Sequence, residues 1–259
     1  MRSRTLGIAA ILSAVVFAAC QERGSNSTPS STAASPPPSD LFSGVWVGAN
    51  VPPLEVPPPM TARGQALFDA AKPMYGSRSV SVVDSDDPLV TCDPLGMPRS
   101  VLHETRGLEF VQAPDKVVLL QQYQRVFRDI WTDGRSLPTD VGGTSPDSPD
   151  PRRYGYSIGR WADDSTFVIE TTGAIETSWG DLYAHPHGLN ARIEERYRRV
   201  DPGTLELTVT IDDPEMYQKP FVAMTQLLKR GKEFDEQLCV PSEAQRYLDI
   251  MAKPAAGQK

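Results

Sequence analysis

The sequence predicts a mainly β domain: an antiparallel meander of roughly nine to eleven strands, closing into a barrel or dividing into a two-sheet sandwich. Three observations carry this. After residue 40 apolar side chains recur mostly with period two, short polar turns join consecutive runs, and helical spacing is confined to two short segments. A sheet of that length must curl, close or split to protect its edges.

Residues 1–19 read as a signal peptide, outside the folded domain. Arg2 and Arg4 form a basic start, and Leu6 to Ala19 form an apolar run of roughly 14 residues, short of the about 20 that span a bilayer. Residues 20–39 hold no large apolar side chain and are rich in Ser, Thr and Pro. Such a stretch cannot offset its ordering entropy by burial, and it reads as a tether. Residues 40–259 read as a single β-rich domain.

Within that domain, Ala62–Lys72 around Leu67, Phe68 and Ala71 predicts a short amphipathic helix. Leu108–Ala113 and Val117–Tyr123 flank Pro114-Asp115-Lys116 as a hairpin, and Gln124–Thr132 ends at Asp133-Gly134. Gly134–Arg152 holds turn formers without a strand pattern, and a connection this long reads as a lid or a mobile surface loop. Tyr154–Arg160 and Thr166–Thr172 flank Trp161-Ala162-Asp163-Asp164. The clearest hairpin is Arg192–Val200 with Thr204–Asp212 about Asp201-Pro202-Gly203. There Leu205, Leu207, Val209 and Ile211 share one face, and Thr204, Glu206, Thr208 and Thr210 share the other. Phe221–Arg230 and Glu233–Val240 flank Gly231-Lys232. Finally, Ser242-Glu243-Ala244-Gln245 fits a capping box, with Ala244, Tyr247, Leu248 and Met251 on one face of a C-terminal helix packing on the sheet or a barrel mouth.

Three resemblances add to this reading. Ala18-Ala19-Cys20 after the apolar run resembles a bacterial lipoprotein signal, which implies acylation of Cys20 and a lipid anchor in the cell envelope; an ordinary secretory signal is the alternative. Gln21, not Asp, follows, which by the same resemblance implies the outer membrane and a domain facing the periplasm. Gly44-Val45-Trp46 is similar to the Gly-x-Trp on the first strand of lipocalins, where the Trp plugs one barrel end, and it implies a lipocalin-like barrel. A longer series resembles a group of exported bacterial proteins without an assigned activity: Cys92-Asp93-Pro94-Leu95-Gly96-Met97-Pro98-Arg99, Thr132-Asp133-Gly134-Arg135, Gly159-Arg160-Trp161, Pro186-His187 and Glu195-Arg196-Tyr197-Arg198-Arg199. The chain departs from that group at Gly188, where a Ser is expected.

The composition excludes several classes. With Lys+Arg 26 against Asp+Glu 33 and a formal charge of -7, no nucleic-acid footprint is expected. No Gly-x-Ser-x-Gly elbow, phosphate-binding Gly-rich loop or Cys-x-x-Cys is present. Of 3 Cys, Cys92 and Cys239 remain after Cys20, and in an oxidising compartment they are expected to pair.

The candidate chemistry centres on histidine. His185 and His187 flank Pro186, and residues two apart on an extended chain share a face. With Asp181 they offer the donor types of a divalent metal site, a minor expectation beside a cofactor-free site. The preferred catalytic reading makes His187 the acid or base, oriented by Asp181 or Asp133, with Arg135 stabilising negative charge. Arg160, Tyr154, Tyr156, Glu170, His185 and His103 are candidate ligand contacts. Arg196, Arg198 and Arg199, alternating with Glu194 and Glu195, read as cross-strand ion pairs. The leading expectation is a barrel holding a small, largely apolar molecule in an internal cavity. The alternatives are a lyase, isomerase or hydrolase on the same scaffold, and an assembly lipoprotein of the envelope. Oligomeric state is left open.

Overall fold

The structure is a computed structural model and describes residues 42–48, 51–102 and 107–257. Cys20, the signal and tether regions and His103 lie outside the described residues. Nine strands form one closed barrel, each paired with its neighbours in chain order and the last with the first: β1 (Val45–Gly48), β2 (Gly107–Gln112), β3 (Lys116–Gln121), β4 (Val126–Trp131), β5 (Tyr156–Asp163), β6 (Thr166–Thr172), β7 (Arg192–Asp201), β8 (Thr204–Asp212) and β9 (Phe221–Arg230).

Strand direction can alternate around a ring only if the number of strands is even. With nine, the meander cannot be antiparallel throughout. The exception is β4–β5, a parallel pair that meets only at Ile130↔Ser157 and Trp131↔Ile158. Every other adjacent pair is antiparallel. Parallel neighbours need a crossover connection, and residues 132–155 supply it. The long turn-rich segment is therefore a structural crossing: Leu137 and Val141 are buried, and the Gly142 amide donates to the Pro149 carbonyl at 2.8 Å.

The period-two pattern sends one face of each strand into a filled interior. Trp46, Leu108, Leu119, Ile130, Phe167 and Tyr197 belong to one buried cluster, with Phe110 edge-on to Tyr197 at 5.0 Å between ring centres. The Trp46 indole donates to the Phe42 carbonyl at 2.9 Å, and the Arg230 guanidinium lies 4.5 Å from its ring.

A buried polar network crosses the parallel seam. Arg128 of β4 makes two hydrogen bonds to Glu195 of β7, at 2.7 and 3.2 Å, and donates to Ser157 of β5 and Thr171 of β6 at 3.2 and 3.1 Å. The Tyr197 hydroxyl donates to Glu195 at 2.9 Å. Burial works against the Arg128 charge, but Glu195 more than offsets it and raises the pKa. Glu195 is thus not one of the surface ion pairs expected for this strand, whereas Arg198–Glu206 at 3.0 Å and Arg196–Glu194 at 3.6 Å lie outside.

Helix α1 (Ala62–Ala70) is capped by Thr61, whose hydroxyl accepts from the Gly64 amide at 3.1 Å. A Cβ on Gly64 would lie 2.2 Å from the Met216 carbonyl oxygen, so glycine permits this helix to sit against the chain before β9. A 3-10 turn (Pro88–Thr91) and helix α2 (Arg99–Leu102) are joined by a buried bidentate pair, Arg99 to Asp87 at 2.6 and 2.7 Å. Cys92 and Cys239 form a disulfide with a Cα–Cα distance of 5.3 Å. The 147-residue separation restricts the unfolded chain by up to ~5 kcal/mol in the entropic account.

Two expected elements differ. Glu233–Val240 forms no ladder beyond the bridge Tyr123↔Gln237, because β1 already occupies the free edge of β9. The C-terminal helix starts at Pro241 with Val240 as an N-cap that makes no side-chain bond, so the Ser242 box is not used. Helix α3 (Pro241–Tyr247) continues through a π-helical turn (Leu248–Ala252) into α4 (Lys253–Ala256). It packs near the 3-10 turn and buries Leu248 and Ala252, leaving Tyr247 and Met251 exposed.

Removing one half of the Arg128–Glu195 pair strands a buried charge. Arg128→Met should cost about 3–5 kcal/mol in urea unfolding, and Arg128→Met/Glu195→Leu should recover much of that loss. A double variant no more stable than the single would refute the coupling.

Candidate functional site

Two places concentrate the candidate residues, and they share no lining residue. The first is the 178–188 loop. Asp181 folds it back on itself: one carboxylate oxygen accepts from the Tyr183 and His185 amides at 2.8 and 3.3 Å, and the other pairs with His185 Nδ1 at 2.5 Å. Ala184 takes a left-handed φ of 65° to make this turn, a conformation that costs a side-chain-bearing residue energy. The His185 ring stacks on Phe68 of α1 at 5.2 Å, and its buried Nε2 has no partner.

His187 lies in a different polar setting. Its Nε2 is 3.1 Å from the Ser178 hydroxyl, which itself donates to the Ile175 carbonyl at 3.0 Å. The imidazole N–H therefore donates to Ser178, and Nδ1 is left as a buried acceptor without a partner. Burial pushes the His187 pKa down to about 4. Nearby, Asp213 accepts from the Gly188, Glu215 and Met216 amides at 2.7, 3.1 and 3.3 Å, and burial raises its carboxyl pKa. The Tyr217 hydroxyl donates to the Pro186 carbonyl at 2.8 Å.

This corrects the expected catalytic set. Asp181 orients His185 rather than His187, because the left-handed turn at Ala184 carries the carboxylate to the ring four residues on. Asp133 and Arg135 do not join them. They pair with each other at 2.6 Å at the exposed end of β4, where the Arg135 hydrogen bond lowers the Asp133 pKa. The cavity beside both imidazoles, bordered also by Leu102, Ile211 and Tyr217, has a volume of about 10 Å³, close to that of one water. Among the described residues, no group of three or more His, Cys, Asp and Glu is arranged to hold a metal ion.

The second place is a cleft of about 600 Å³ along the β4–β5 seam. The two strands separate beyond their short paired stretch, and the crossing segment walls the gap with Ser136, Leu137, Pro138 and Pro149. Its aromatic lining is Phe127, Trp131, Tyr154 and Tyr156. Arg135 lies over Trp131 at 3.6 Å and Arg152 over Tyr156 at 4.1 Å, as cation–π pairs. Tyr156 donates to the Asp150 carbonyl at 2.7 Å, and burial raises the Tyr154 pKa.

Tyr154, Tyr156 and Arg135 thus meet at one concave site. Arg160 and Glu170 do not: they pair at 3.3 Å on the outer surface, because the period-two pattern of β6 turns Phe167 and Ile169 inward and Glu170 outward. His185 is enclosed in the other site. Sequence reading missed Trp131, Arg152 and Arg153. The available signal was two arginines followed by two tyrosines within residues 152–156, after a long turn-rich segment. No protein-family model matches the chain, and no curated protein matches it.

The depressed His187 pKa has a pH signature. The folded value of about 4 lies below the ordinary 6.5, so the unfolded state binds more protons between these limits. Stability from this group is complete above about pH 6.5 and lost as pH falls toward 4. Wild type should lose about 2–3 kcal/mol more than His187→Asn between about pH 7 and about pH 4.5. Equal losses in paired urea titrations would rule out the buried neutral imidazole as the cause.

Proposed function

We propose that this protein is a lipid-anchored, periplasm-facing binding protein of the outer membrane whose β-barrel holds a small, largely apolar molecule. The cleft along the β4–β5 seam is the observation that carries the reading. About 600 Å³ falls within the range of small-molecule sites, and aromatic walls with a few polar groups are their usual lining. A large buried apolar cluster occupies the barrel, which supports a binding place on the seam rather than along the barrel axis. The anchor rests on the Ala18-Ala19-Cys20 signal and the tether that follows.

A second reading, acid–base catalysis, is supported by the Asp181–His185 pair. The carboxylate fixes the imidazole and leaves Nε2 without a partner, the arrangement a general base requires. The neighbouring space of about 10 Å³ admits about one water, which favours the binding reading over this one.

A thermal-shift panel of alkyl and aromatic compounds should reveal stabilisation of about 2.7 kcal/mol at a ligand concentration near 100 Kd. Trp131→Ala and Tyr156→Ala should each weaken binding about tenfold with the barrel circular dichroism retained. A panel without shifts sinks the binding reading. In the full chain, Cys20→Ser should move the protein from the membrane to the soluble fraction, and continued membrane retention would sink the lipid anchor.

A further inference from the structure

We infer that the cleft selects an organic monoanion, with an apolar body against Trp131, Tyr154 and Tyr156 and a carboxylate-type head at Arg152, beside Arg153. This rests on the cleft being a binding site and adds the chemical class of its ligand.

The charge balance of the cleft, taken residue by residue, points to this ligand class. The charged residues lining the cleft are Arg128, Asp129, Arg135, Arg152 and Arg153, a strongly basic set on a chain of formal charge -7. Most are neutralised within the fold. Arg128 is paired with Glu195, Arg135 with Asp133 at 2.6 Å, and Asp129 with Lys116 at 2.8 Å. Arg153 is paired with Asp93 at 3.2 Å, and its Nη1 is buried, with no partner among the described residues. Arg152 forms no ion pair among the described residues and rests on the Tyr156 ring. The uncompensated positive charge therefore lies at Arg152, beside the two tyrosines.

A neutral apolar ligand would cover this place without supplying an acceptor, and guanidinium N–H groups cut off from water and left unpaired are unfavourable. A carboxylate supplies paired acceptors in a geometry that fits guanidinium. The half-enclosed site screens the attraction less than open water does. One net unmatched cation suits a single negative charge. The Arg152–Tyr156 contact also keeps the cation at the aromatic wall, so head and body of one molecule can be engaged together.

The test compares decanoate, decan-1-ol and decyltrimethylammonium, which share an alkyl body and differ in head charge, binding to the disulfide-intact protein by titration calorimetry. Decanoate should bind at least about tenfold more tightly than decan-1-ol, the cation should bind most weakly, and the preference should shrink between about 20 and about 500 mM salt. Arg152→Gln/Arg153→Gln should bring the decanoate-to-decanol ratio near one, with near-UV circular dichroism reporting an intact fold. The wild-type series stands independently if the double variant fails to fold. Equal binding of decanoate and decan-1-ol, or a preference that survives in the folded double variant, overturns the anion assignment while leaving the cleft reading in place. Binding of none of the three overturns both.

Discussion

A ring of nine strands must contain a fault in its alternation, and much of this molecule is arranged around that fault. The β4–β5 seam pairs at only two positions, so backbone hydrogen bonding is thinnest there. Inside the barrel, Arg128, Ser157, Thr171 and Glu195 tie β4, β5, β6 and β7 together through side chains. Outside, the crossover required by parallel pairing becomes a wall. The opening at the seam and the group of arginines and aromatics lining it follow from the same parity.

The two histidine environments show how burial and local hydrogen bonding separate similar residues. His185 has a carboxylate on one ring nitrogen, whereas His187 meets a neutral hydroxyl. Ser178 provides no charge to stabilise an imidazolium, so burial controls His187 and drives it neutral. The His185 ring packs the 178–188 loop against Phe68 of α1, and the His187 ring bonds Ser178 within the loop. The large opening, by contrast, is governed by guanidinium and aromatic groups.

Much of the architecture was legible locally. Thr204–Asp212 alternates polar and apolar residues, burial follows that alternation from Leu205 onward, and its register with β7 follows the predicted hairpin. Asp133-Gly134 marked the end of β4, but strand parity is a property of the whole ring and no local run reveals it. The inward position of Glu195 was present in the pattern, since Ile193 and Tyr197 flank it at period two, but the surrounding charges suggested an exposed strand. The Asp181–His185 pairing depends on a left-handed alanine, and the Phe68 stacking depends on a helix more than one hundred residues earlier; neither has a short-range sequence signal. The cleft was only partly visible, through Tyr154, Tyr156 and the length of the turn-rich segment.

The Cys92–Cys239 bond encloses β2 to β9 in one covalent circle and leaves β1 outside it. Only four residues long, β1 is held by three register pairs on each side. A pull along the chain from its N-terminal side therefore loads the shortest stave of the barrel first. Detaching it would open the wall between β2 and β9 while the other eight strands stayed linked in their covalent circuit. Mechanical load and chemical cross-linking are thus divided between different parts of the same wall.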